Sequence, residues 1–198
     1  MMNDTEARRQ IARAGTSEAA ANVAALRVVV MGVCGSGKST VGQAIAQALG
    51  CDFVEGDALH PPGNVHIMAS GTPLTDADRL GWLQAVARHL ADVAAFPRGV
   101  VVSCSALKLS YRDLLRASAP DVKFIYLEGS AELLAQRLRA RSVHFMPPSM
   151  LQSQLATLEA PLEQENAVTV SISLAVPQLV SAAVDALQSL PKQCVRAG

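Results

Sequence analysis

Leu26 to Gly50 reads LRVVVMGVCGSGKSTVGQAIAQALG, and the fold turns on how this stretch is understood. Arg27–Met31 is short and β-branched, the composition of a buried strand. The residues that follow, GVCGSGKST (Gly32–Thr40), fit G-x-x-x-x-G-K-[ST]. From Lys38 to Leu49 the pattern is that of an amphipathic helix, and Gly50 is its natural stop. Strand, glycine-rich loop and helix in this order make a cradle for phosphate. Backbone N–H groups of Gly32, Val33, Cys34, Gly35, Ser36 and Gly37, with the helix N-terminus, face an anion. Lys38 can reach the β- and γ-phosphates of a nucleotide such as ATP, the Ser39 hydroxyl can ligate Mg²⁺, and Thr40 completes the loop.

Outward from this unit the chain alternates short β-branched runs with helical patterns. Strand candidates are 27–31, 51–56, 99–105, 122–129 and 167–173. Helical patterns occupy 38–49, 75–95, 131–142, 147–160 and 177–190. The one at 75–95 opens with Thr75 and acidic residues, a capping signal, and puts Leu80, Leu83, Val86, Ala87 and Leu90 on one face. Such alternation predicts an α/β fold: a five-stranded, mostly parallel sheet with helices on both faces, as in P-loop kinases. Residues 26–190 make the domain, with an Ala-rich, polar and flexible extension at 1–25 and a short tail at 191–198.

Composition excludes several function classes. Lys+Arg and Asp+Glu are both 17, so no net charge advertises a nucleic-acid or membrane partner. Aromatic residues are only 4%, too few to suggest base-stacking platforms. Cys34, Cys51, Cys104 and Cys194 are scattered, without metal-site spacing, and read as reduced thiols. No apolar run approaches the ~18 residues of a membrane span. The first 25 residues lack a signal-peptide core, so a cytoplasmic location is expected.

The third apolar strand ends in Ser103, Cys104 and Ser105, where many P-loop proteins put an Asp that steadies Mg²⁺. A carboxylate must come from elsewhere. Asp57, in VEGDALHPPGN, closes the second strand and would lie near the γ-phosphate if that strand lies near the first. There it could steady the metal or take the proton of an attacking hydroxyl. The plainer alternative is a turn-capping Asp.

Taken together, MGVCGSGKST, GDALHPPGN, MASGTPLTDADRLGWL, CSALKLSYRDLLR, FIYLEG and HFMPPSMLQSQLATLEAP resemble the gluconate kinases, small P-loop kinases related to shikimate kinases. The resemblance runs from about Val28 to about Leu187. It implies transfer of the ATP γ-phosphate to the 6-hydroxyl of D-gluconate, with Mg²⁺, by a homodimer. It makes Asp57, His60, Lys108 and Arg112 contacts to the acceptor. It also implies a lid at about 137–150, whose Arg137, and after it Arg141, would close over the phosphate. A helix face paired with Asp113 remains the alternative for Arg112 and Arg116, and an exposed basic helix end for Arg137 and Arg141. Three positions depart from the family pattern: Ile67 stands where a lysine is usual, Gly81 where proline is common, and Val143 where the lid has glycine. Two other functions remain open, a shikimate-type kinase and a regulatory protein that binds ATP without transferring phosphate.

Overall fold

The computed structural model describes residues 26–140 and 148–190. In chain order the elements are β1 (Arg27–Met31), α1 (Lys38–Leu49), β2 (Asp52–Glu55), α2 (Pro62–Ala69), α3 (Asp76–Ala91) and β3 (Val100–Ser103). Then come α4 (Leu109–Ser118), β4 (Lys123–Glu128), α5 (Ala131–Arg139), α6 (Pro148–Thr157), β5 (Ala167–Ser171) and α7 (Val176–Ser189). The five strands form one parallel sheet in the order β2-β3-β1-β4-β5.

β1 shows why this sequence chooses a two-sided sheet. All five of its residues are buried. Successive side chains of a strand face opposite ways, so both faces must be covered. Val28 and Val30 join a core with Val41 and Ile45 of α1, Leu134 of α5, Leu151 of α6 and Leu179 of α7. Val29 and Met31 join the other core, with Trp82, Leu83, Val86 and Leu90 of α3 and Leu115 of α4. Each such side chain contributes roughly 1.5–3 kcal/mol by leaving water.

Helix ends obey local chemistry. The Thr75 hydroxyl accepts the Asp78 N–H at 3.2 Å, and the Asp78 carboxylate accepts the Thr75 N–H at 2.8 Å, a capping box that starts α3. α1 ends at Gly50 (φ 67), whose N–H returns to the carbonyls of Ala46 and Gln47.

Two expectations need correction. The helix expected to run to residue 95 stops at Ala91, with Asp92 as its cap. Leu80, expected on the apolar face of that helix, is exposed instead. As for the strand that carries Asp57, β3 lies between β1 and β2, so strand two is one strand away from strand one. A helix the sequence did not announce, α2, follows the acceptor-loop motif, started by Pro62 in its first turn. Residues 1–25 and 191–198, Arg141 and Val143 lie outside the described residues, as does most of the expected lid.

Candidate active site

The loop between β1 and α1 sits at the carboxyl end of the sheet, where ligands of open α/β folds gather. Its Gly32 N–H donates to Ser105 O at 3.4 Å, tying the loop after β1 to the loop after β3. Gly35 has φ 83, and a Cβ there would stand 3.0 Å from Leu138 Cγ and 3.1 Å from Leu134 O, so only glycine lets α5 lie this close. Lys38 folds back over the loop and donates to Val33 O at 3.2 Å. The Ser36 hydroxyl is buried inside the loop with no hydrogen-bond partner among the described residues. Ser39 and Thr40 are exposed at its mouth.

Arg137 stands beside this loop. Its Nη1 would be 3.9 Å from a Cβ on Gly37, and its Nη2 donates to Ile172 O at 2.6 Å. A cavity of about 290 Å³ opens between the loop and the start of α7, lined by Gly37, Thr40, Arg137, Leu174, Val176 and Leu179. Leu174 and Val176 are apolar yet exposed there.

The opposite side of the site is built at the end of β2. Gly56 must be glycine: a Cβ would lie 1.9 Å from Ser103 O. Its N–H donates to Ser103 Oγ at 3.1 Å, and the Ser103 hydroxyl donates in turn to the Glu55 carboxylate. Trp82 Nε1 donates to Gly56 O at 2.7 Å, pinning the turn from α3. Asp57 follows in a 3-10 turn, Gly56–Leu59, with its side chain exposed. His60 stacks on the Trp82 ring at 4.3 Å. Burial lowers the His60 pKa; the Asp57 charge opposes this and Arg79 adds to it.

Electrostatics show which charges converge. Burial pushes the Cys104 thiol up to about 12, and the charges acting on it are Asp57, Lys38 and Arg79. Asp57, Lys38 and Arg79 are thus all close enough to the end of β3 to bias this thiol, although β1 and β2 are not neighbours. The Asp76 carboxylate accepts from Lys108 Nζ at 2.7 Å and from the Tyr111 hydroxyl at 2.5 Å. Those bonds, Lys108 first, lower the Asp76 pKa, while burial and then Asp76 raise that of Tyr111.

Arg112 is not in this group, a correction to its expected role as an acceptor contact. Its side chain is 1% exposed and fully occupied. Nε and Nη2 donate to the Glu165 carboxylate at 2.6 and 2.9 Å, and Nη1 to the carbonyls of Ala106, Leu107 and Glu159. The alternative, a helix face paired with Asp113, holds for Arg116 and not for Arg112, since Asp113 pairs with Arg116. Burial favours a neutral Glu165, but hydrogen bonds from Arg112, the Leu162 N–H and Arg116 outweigh it and hold the carboxyl at about 2.

Sequence reasoning missed Arg79, because TDADR reads as a helix start, and the Glu55–Ser103 pair, because its members are 48 residues apart. Only a capping box that places Arg79 on the first turn of α3 could have hinted at it. At Gly81 a Cβ would meet nothing within 4 Å, so this departure is sterically neutral. Ile67 lies half-buried in α2.

Comparison with known proteins follows this geometry. Residues 28–161 match the family described as AAA domain. The chain is 50% identical over 144 residues to a gluconokinase of Gluconobacter oxydans, covering 73% of this chain and 81% of that one. It is 40% identical over 161 residues to the thermoresistant gluconokinase of Escherichia coli, covering 81% and 92%. A crystal structure of a gluconokinase from Sinorhizobium meliloti superposes with a TM-score of 0.77 at 51% identity, covering 83% and 93%. The APS kinase of Mycobacterium tuberculosis, 17% identical with a TM-score of 0.62 over 83% and 99%, shares the fold. With its phosphate loop on a five-stranded parallel sheet, the chain belongs to the gluconokinase family of P-loop kinases.

Proposed function

We propose that this protein phosphorylates D-gluconate, moving the ATP γ-phosphoryl group to the 6-hydroxyl and releasing ADP and 6-phospho-D-gluconate. The observation that carries the reading is the phosphate loop with Lys38 folded over it, on a parallel sheet whose second strand runs into the exposed Asp57. Lys38 is suited to the transferring phosphate, whose charge grows on its outer oxygens. Asp57 is suited to orient the attacking hydroxyl and take its proton, a contribution of roughly 10²–10⁴ in rate. Arg79 and Lys108 supply positive charge for the sugar-acid carboxylate, and His60 and Tyr111 supply polar groups for its hydroxyls. Arg137, beside the loop, is placed to neutralise phosphate oxygens, and Arg141 is the second choice for that task. The cavity bounded by Leu174 and Val176 offers apolar walls for the nucleoside end of ATP.

Mg²⁺ belongs to this reading. It takes one or two protein ligands, the rest being phosphate oxygens and water. The donor set fits: the Ser39 hydroxyl at the loop mouth, and the carboxylates of Glu55 and Asp57 at the end of β2. No cage of three or more His, Cys, Asp or Glu exists among the described residues. Bound there, the ion would offset charge on the phosphates.

A homodimer and a cytoplasmic location complete the proposal. The first is carried over from the family resemblance and is checked by sedimentation. The second is carried over from the sequence reading and is checked by fractionation of cells that make the protein. No helix of the described residues is long and apolar enough to cross a membrane. The test is ADP release by the purified protein with ATP and Mg²⁺. Release that needs D-gluconate supports the proposal; release that needs shikimate transfers the reading to another acceptor; ATP binding without release removes catalysis from it.

A further inference from the structure

α6 and the four residues after it touch both halves of the site. On one side the Gln154 carboxamide oxygen accepts the Cys34 N–H, inside the phosphate loop, at 2.6 Å. On the other, the Glu159 carboxylate accepts the Leu109 N–H at 2.5 Å, capping α4 where Lys108 precedes it. The Glu159 backbone is tied to the same loop: its N–H donates to Leu107 O at 2.8 Å, and its carbonyl accepts from Arg112 at 2.9 Å. Between these anchors Leu155 and Leu158 pack against the core, in which Leu151, one turn earlier, is buried, so the span is fastened to the sheet.

The second loop needs such a hold. Ala106 sits at φ 43, a left-handed conformation that a residue with a Cβ keeps only when its surroundings impose it. Arg112 grips its carbonyl at 3.1 Å and Glu159 grips the next residues. This loop presents Lys108 and Tyr111 to the acceptor side, whereas the Cys34 loop presents Lys38 to the phosphate.

We propose that Gln154 and Glu159 are positioning residues that set the separation of the phosphoryl donor from its acceptor, by bracing the loop before α1 against the Ser105–Lys108 loop and the start of α4. The inference rests on the kinase reading above. Phosphoryl transfer needs donor and acceptor atoms about 3–3.5 Å apart, and a misplacement near 1 Å lowers the rate about 100-fold. Neither side chain is itself required to touch a substrate. Loss of the brace therefore lowers kcat more than it weakens binding of either substrate.

The experiment compares Gln154→Met and Glu159→Leu, which remove an acceptor at similar volume, with Glu159→Gln, which keeps one. Steady-state kcat and KM for ATP and D-gluconate are measured beside ATP affinity by direct titration and a thermal melt. The expected result is a kcat about 10- to 100-fold lower in the first two, with both KM values and the ATP Kd within about threefold. Glu159→Gln should recover most of kcat, because the Leu109 N–H needs an oxygen rather than a charge. The double variant should lose little more than the worse single one, as for parts of a single device. An unchanged kcat, with or without a lowered melting temperature, overturns the proposal, and so does a loss carried wholly by the ATP KM and Kd. Should Gln154→Met not fold, Gln154→Asn, too short to reach Cys34, takes its place under the same criteria. Wild-type protein inactive on D-gluconate would instead refute the kinase reading, a separate outcome.

Discussion

Asp57 offers an exposed carboxylate at the end of β2, and its proposed work is proton transfer rather than nucleotide binding. Asp57→Asn should lower kcat by about 10²- to 10⁴-fold while ATP affinity by calorimetry stays within about threefold. Wild-type-like turnover would remove Asp57 from the chemistry. Lys38, Ser39 and Asp57 were legible in the sequence because motif and strand end fix their places. Arg112 was not: its charge was visible, but the partner that consumes it, Glu165, is 53 residues away. Arg79 was hidden for a related reason, because a helix-start pattern says nothing of the loops its first turn faces. The Arg112–Glu165 pair also makes a pH prediction. A carboxyl whose folded pKa is depressed stabilises fully above its unfolded value and loses that stabilisation as pH falls through the folded one. For Glu165 the window runs from 4.5 down to about 2, with an amplitude of order 3 kcal/mol. Glu165→Gln should therefore unfold more easily in urea at neutral pH, and should show a shallower loss of stability across that acidic window. Equal slopes for variant and wild type would contradict the assignment.

At the scale of elements, α3 does three tasks with one surface. Its buried face covers the sheet, Trp82 holds Gly56 and stacks on His60, and its first turn supplies Asp76 and Arg79. The apolar period and the capping box made this helix readable in advance. α2 was not readable, since Pro62, Gly63 and Asn64 signal a turn. What secures it is tertiary: the buried Asn64 side chain donates to Asp78 O at 2.7 Å, fastening it to the first turn of α3. On the outer face of α3, Gly81 has open space where a Cβ would go. Gly81→Ala should raise stability by about 0.5–1 kcal/mol with kcat unaltered, because helical glycine carries excess unfolded-state entropy. A lower melting temperature would mean that the outer face is occupied by something the isolated chain does not show.

For the whole molecule, alternation of strands and helices announced a two-sided parallel sheet, and β1 buried on both faces is its clearest sign. Strand order was beyond such reasoning. Periodicity says which faces are apolar, but not that β3 slips between β1 and β2. That insertion matters, because Ser103 then stands between the two loops and is hydrogen-bonded to both Gly56 and Glu55. The two halves of the site thus come from strands that are not neighbours, held by contacts across β3 and by the α6 span above. Joined in this way, the halves make one claim, that phosphate leaves ATP for the terminal hydroxyl of a sugar acid. The most direct measurement is a phosphorus NMR spectrum of the product formed from ATP, Mg²⁺ and D-gluconate. The account predicts ADP and one new phosphomonoester signal, split into a triplet by the two protons of carbon six. A doublet would place the phosphate on a secondary hydroxyl, and inorganic phosphate alone would mean transfer to water; either result contradicts the account.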